Sequence, residues 1–289
     1  MRQSRFNIAK SDIINHFNDL STNVFSKKEI SEILQINRRN WRLTDSLTVE
    51  EFIKQLLKGT PLKKHTFTFK TATIIRYSWG NVELMEILMK LRSLGYLSHY
   101  SAMAHYGLTD QIPKTVYLTV EQSQKFKQNL ELDQQKIDTA LNKPARLSNN
   151  FARYKGLKIY LLNGMFSNLL GVDIKSTQSK VTNIERTLID ITIRPEYSGG
   201  VFEVLKAYEN AANQVSVNTL VAYLKKLNYI YPYHQCIGFY MMVSGKYSDS
   251  QLKLVKKIGF PFNFYLSHNI EDKSFSKEWN IYYPSNFPV

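Results

Sequence analysis

The sequence predicts an α+β protein in two domains, residues 1–80 and residues 81–289. Three observations predict it. Short capped helices and one alternating strand pair fill the first 80 residues. Helical and strand-like stretches then follow one another without an internal repeat. The basic charge also thins out along the chain, from +7 over 1–80 to +5 over 81–180 and +2 over 181–289.

The 289 residues are 43% hydrophobic and 13% aromatic, a globular balance that excludes a disordered chain. A net charge of +14 points to a polyanionic partner. The single cysteine, Cys236, forms no internal disulfide and offers no metal-ligand pair. It reads as a buried, reduced thiol. The N-terminus lacks a signal-peptide core, and the uncharged run 228–245 holds Pro232, His234 and Gly238, so no membrane span is expected and the location reads as cytoplasmic.

In chain order, residues 7–20 form a helix with Ile13, Ile14 and Phe17 inward. Ser26 with Glu29 has capping-box spacing and opens a second helix through Leu34. Thr48 with Glu51 opens a third, stopped by Gly59 and Pro61. Leu62–Phe69 and Ala72–Tyr77 read as paired strands, since threonine and aromatic residues favour them. Three short helices and a β-ribbon form the pattern of a winged helix-turn-helix.

Such a domain places its third helix in the major groove of double-stranded DNA and its ribbon along the flanking backbone. The expected phosphate contacts are Lys27, Lys28, Arg38, Arg39, Arg42, Lys63, Lys64, Lys70 and Arg76. Lys54, Gln55 and Lys58 on the third helix would read bases, although Glu50 and Glu51 on the same surface are awkward there. A winged helix that docks only on protein is the alternative.

The larger mixed helix/strand C-terminal domain opens with a helix over 82–94. Ser98 starts a short helix ending at Gly107, and Thr115–Val120 is a strand. His99 and His105, six apart, miss the metal-pair spacing and read as polar core residues. Residues 121–155 form a polar insertion, partly helical, read as a solvated connection before a strand at Leu157–Leu162.

The densest helical signal is 181–212. Thr182 with Glu185 has capping-box spacing, and Pro195 ends the helix near Arg194. Ser198-Gly199-Gly200 reads as a flexible hinge before a stripe of Val201, Leu205, Tyr208 and Ala212. Glu185, Arg186, Asp190, Arg194 and Glu196 lie between the stripes, as a solvated face, as local ion pairs, or as a partner-binding surface. Further helices follow from Ser216, over His234–Val243 and from Asp249 to Ile258, with strands at Phe262–Leu266 and Trp279–Tyr283.

No phosphate loop, nucleophile elbow or zinc-protease motif is present, and no catalytic residue, metal or cofactor is expected. Glu271-Asp272-Lys273 matches only a three-residue fragment of a metal-dependent nuclease pattern, so a nucleic-acid-processing enzyme is the weaker alternative.

Three segments, YLSHYSAMAHYGLTDQIPKTVYLT at 96–119, VTNIERTLIDITIRPEYSGGVFEVLKAY at 181–208 and VSVNTLVAYLKKLNYIYPYHQCIGFYM at 215–241, resemble the AbiEi family. These are antitoxins of type IV, abortive-infection toxin–antitoxin pairs. The resemblance implies a transcriptional repressor in phage defence. Its winged helix would bind operator inverted repeats, and its C-terminal antitoxin domain would neutralise a nucleotidyltransferase-like toxin. It also implies a non-catalytic protein. Glu185, Arg186, Asp190, Arg194 and Glu196 fall in the longest of the three segments.

Overall fold

The structure, a computed structural model, describes residues 4–124, 131–174 and 180–289. It is α+β throughout and divides into two compact units, Met1–Gly95 and Tyr96–Val289. The boundary thus falls after Gly95 and not at 80. Arg76 explains part of the difference. Its Nε donates to the Lys90 carbonyl at 2.7 Å and its Nη2 to the Leu91 carbonyl at 3.0 Å, which ties the 84–91 segment to the first unit.

Unit 1 runs α1 (Arg5–Asn18), β1 (Val24–Phe25), α2 (Lys27–Asn37), α3 (Val49–Gly59), β2 (Leu62–Thr68), β3 (Thr73–Trp79) and α4 (Leu84–Met89). Both expected capping boxes form, at Ser26/Glu29 and at Thr48/Glu51. Each satisfies backbone N–H groups that a helix start leaves open. The sheet is antiparallel in the order β1-β3-β2. Phe17 stacks on Trp79 at 4.6 Å between ring centres, and Trp41 on Phe52 at 5.9 Å. Trp41 is therefore a core residue. The helix expected over 82–94 is only α4, because Arg76 occupies the carbonyls of Lys90 and Leu91.

Unit 2 starts with β4 (Tyr96–Leu97), α5 (His99–His105), β5 (Thr115–Glu121), α6 (Gln134–Leu141), β6 (Phe151–Tyr154), β7 (Leu157–Gly164), β8 (Val172–Asp173) and β9 (Val181–Thr182). The helices α7 (Ile184–Ile193), α8 (Val201–Ala211), α9 (Val217–Leu227), α10 (Tyr233–Val243) and α11 (Asp249–Lys256) follow. The described chain closes with β10 (Phe264–Tyr265), β11 (Lys273–Ser276) and β12 (Ile281–Pro284). Six strands form a mixed sheet in the order β6-β7-β5-β4-β9-β8, and three form a second sheet, β10-β12-β11. The core gathers α7, α8 and α10, with Tyr208 stacked on Tyr240. α10 is buried nearly all round, Cys236 included, as its apolar sequence requires.

Several expectations change here. The cap of α7 is Asn183, not Thr182: Asn183 Oδ1 accepts from the Arg186 N–H at 3.0 Å, while Thr182 is drawn into β9. Glu185 is then free to accept the Ser216 N–H at the start of α9, at 2.8 Å. The hinge at 198–200 is a hydrogen-bonded turn. The N–H groups of Ser198 and Gly200 both donate to the Pro195 carbonyl at 2.8 Å, and Gly199 and Gly200 take φ of +83° and +93°, a region glycine enters freely.

The polar insertion is only partly a solvated connection: residues 142–149 are irregular and mostly exposed, whereas α6 is docked. α6 buries Ile137 and Leu141 and docks on the final sheet. Gln134 exchanges hydrogen bonds with the backbone of Asn263 at 2.9 Å, and the Tyr265 hydroxyl donates to Asp138 at 3.0 Å. Residues 125–130 of the insertion lie outside the described residues. The late strands are shorter than expected because Gln235 draws off the carbonyls of Phe262 and Trp279, each at 2.9 Å.

Candidate functional site

On unit 1, the outward row of α3 holds Glu50, Glu51, Lys54 and Lys58. The acids on it are both engaged. Glu51 accepts from the Thr48 N–H and hydroxyl at 3.0 Å, contacts that hold its carboxyl below the usual glutamate range. Glu50 pairs with Lys27. Lys54 and Lys58 have no ion pair or hydrogen bond among the described residues; the row carries two acids and two lysines, and Lys27 beside Glu50 adds one further positive charge. Arg39, Arg42, Lys64 and Lys70 are also exposed, with Lys64 on β2 and Lys70 at the β2–β3 turn.

Other expected DNA contacts are committed elsewhere. Arg38 holds the α2–α3 turn through the carbonyls of Thr44, Asp45 and Leu47. Arg76 is spent on the 90–91 backbone, and Gln55 turns its carboxamide oxygen inward, where it has no partner. Lys63 donates to Asn81 at 2.7 Å, and Lys28 lies 3.7 Å from Glu32 in an exposed pair. Sequence spacing places a cation on an element but does not say which carbonyl or carboxylate it meets.

On unit 2, the five charges of the 185–196 segment do not form one surface. Arg186 and Asp190 lie inside the fold, with side chains 4% and 9% exposed. The Arg186 Nε donates to Asp190 at 2.8 Å, and its Nη1 donates to the Leu170 carbonyl at 2.8 Å and to Ser167 Oγ at 3.0 Å. Burial opposes the Arg186 charge, and the Asp190 carboxylate outweighs it and holds the guanidinium charged. Of the three readings, these two residues take the ion-pair one. Their burial speaks against a partner-facing surface role. Glu185 accepts the N–H of Ser216, the cap residue of α9, and one Glu196 carboxylate oxygen is buried without a partner.

Arg194 has another environment. It lines a pocket of about 460 Å³ with Tyr96, His99, Arg146, Tyr197 and Tyr229. Arg186 and Asp190 form part of its wall. His99 carries a φ of +51°, uncommon for a residue with a Cβ. Its Nδ1 lies 2.8 Å from Ser98 Oγ. Packing around the ring pushes its pKa down to about 4, so the imidazole is neutral at pH 7. Unlike His99, His105 is exposed and is no core residue. The pocket was not legible in the sequence, since its lining spans residues 96 to 229; the one local signal was the histidine after Ser98.

No cluster of three or more potential metal ligands occurs among the described residues. Glu271 and Asp272 are exposed, and Lys273 Nζ sits over the rings of Tyr265 and Tyr282. Among the described residues no helix is long and apolar enough to cross a membrane.

No known family profile matches the sequence, and no curated protein matches it. The fold is similar to the crystal structure of the Rv2827c protein from Mycobacterium tuberculosis, with a TM-score of 0.61 over 96% of this chain and 91% of that one. The two share 12% identity, so the likeness speaks for the fold alone.

Proposed function

We propose that unit 1 is a winged helix that binds double-stranded DNA, with α3 in the major groove and the β2–β3 ribbon along the flanking phosphates. The observation that carries the reading is the outward row of α3, where Glu50 and Glu51 are engaged and Lys54 and Lys58 are free to meet DNA. Arg39, Arg42, Lys64 and Lys70 extend the positive face. Phosphate contacts of this kind give affinity that falls steeply with salt.

On this reading the chain is a non-catalytic antitoxin and autorepressor. It binds operator inverted repeats through unit 1 and neutralises a nucleotidyltransferase-like toxin through unit 2. Support for the antitoxin half is the resemblance of segments 96–119, 181–208 and 215–241, all of which lie in unit 2.

The test is a titration of the purified protein on its own promoter DNA and on scrambled DNA at several salt concentrations. Tighter binding to the promoter, lost in Lys54→Gln/Lys58→Gln, is expected. Equal affinity for both DNAs removes the repressor reading. Co-expression with the product of the adjacent reading frame tests the antitoxin half: growth rescue is expected, and continued toxicity removes it.

A further inference from the structure

The pocket of unit 2 is unused by the proposed function. Its floor is the face of the large sheet that carries Tyr96, Thr119, Leu162 and Gly164, and α7 forms one wall. Arg146 and Arg194 both line it, and neither guanidinium has a hydrogen bond or ion pair among the described residues. Arg186 is already neutralised by Asp190, so those two groups leave the lining net positive.

Tyr96 is wholly buried and lines the same pocket, and its hydroxyl has no hydrogen-bond partner. A buried hydroxyl without a partner is costly, and a native fold normally supplies one. Gly164 keeps the space beside it open: a Cβ there would stand 3.4 Å from that hydroxyl and 2.7 Å from the Thr119 methyl. The left-handed backbone at His99 adds strain at the pocket wall, a feature that gathers at ligand sites.

We propose that this pocket binds a nucleotide, with Arg146 and Arg194 on its phosphate and the base against Tyr197 and Tyr229. The chemistry points to that class. Guanidinium forks match phosphate oxygens in geometry as well as in charge. Flat aromatic walls suit a heterocycle. About 460 Å³ falls within the range of small-ligand sites, and a neighbouring cavity of about 980 Å³ shares Arg194 and Tyr229 with it, leaving room beyond the phosphate. The Tyr96 hydroxyl gains a partner when the ligand is bound. The inference does not depend on DNA binding by unit 1.

Equilibrium dialysis of the full chain with AMP, GMP, CMP and UMP tests it, with adenosine and inorganic phosphate as part-ligands. One saturable site is expected for at least one nucleotide, with adenosine and phosphate each weaker by about tenfold or more. Arg194→Gln and Arg146→Gln each weaken binding by about tenfold. Tyr96→Phe, which removes only the partnerless hydroxyl, weakens it while the thermal midpoint stays near wild type. Lys54→Gln/Lys58→Gln on unit 1 leaves it unchanged. Absence of saturable binding of all four nucleotides up to about 1 mM overturns the proposal. So does nucleotide affinity that is unchanged in the Arg146→Gln/Arg194→Gln double variant.

Discussion

Arg186 and Asp190 stand one helical turn apart on α7, joined at 2.8 Å and nearly sealed from water. Their spacing was visible in the sequence and their burial was not. Removing one partner leaves an uncompensated buried charge. Asp190→Ala or Arg186→Met should each cost about 3–5 kcal/mol, while replacing both with apolar residues of similar volume recovers most of the loss. Urea unfolding of the two single variants and the double variant measures this. Additive losses would contradict the pairing.

Gly238 sits in the middle of α10 with the Trp279 indole laid against its backbone, so a Cβ there would run into the ring. In an open helix Gly→Ala gains about 1 kcal/mol. Here packing reverses the sign, and Gly238→Ala should cost about 3 kcal/mol, at the upper end for overpacking. The change in thermal midpoint decides it. A stabilised variant would show that the indole moves aside easily.

If unit 1 binds DNA as proposed, Arg76 and Lys64 separate structure from DNA contact. Arg76→Gln should lower stability by loosening the 84–91 segment, with little change in the salt dependence of DNA binding. Lys64→Gln should leave stability unchanged and reduce the salt slope by about 1. Paired denaturation and binding titrations read both effects. The opposite assignment would mean that the ribbon meets DNA through its other edge.

Acid should weaken unit 2 through His99. Its folded pKa is about 4 against 6.5 for the free side chain, because packing disfavours the charged ring. Asp190 pulls that value up and Arg186 and Arg194 push it down. Between those two values the unfolded chain binds more protons. Stability therefore falls as pH drops from about 6.5 and levels off below about 4, by up to about 3 kcal/mol from this residue. His234, lowered by burial, acts in the same direction. Denaturation at pH 7 and at pH 4.5 should show a smaller acid loss in His99→Gln than in wild type. Equal losses would remove His99 as a source.

The helical frame of both units was legible because its signals are local. Ser26 with Glu29 and Thr48 with Glu51 lie three residues apart, and each pair forms the cap its spacing implies. Of the α9 stripe of Val217, Leu220, Val221, Leu224 and Leu227, four residues are buried and Val221 is half-buried. Thr182 with Glu185 has the same capping spacing and fails. Asn183 is a better cap, and the carboxylate finds a stronger use at Ser216, 31 residues away. A local rule has no access to such a competitor.

By itself, the sequence determined the α+β class, the placement of most helices and the basic lean of the N-terminal end. Each is set by propensity, periodicity or charge within a few residues of chain. Only the tertiary structure decided what the charges do. It left Lys54 and Lys58 facing outward, bound Arg38 and Arg76 to distant carbonyls and buried Arg186 with Asp190. It also drew Tyr96, Arg146, Arg194 and Tyr229 around one pocket. The energy of a buried polar group depends on its neighbours in space, and those around the pocket come from residues 96 to 229.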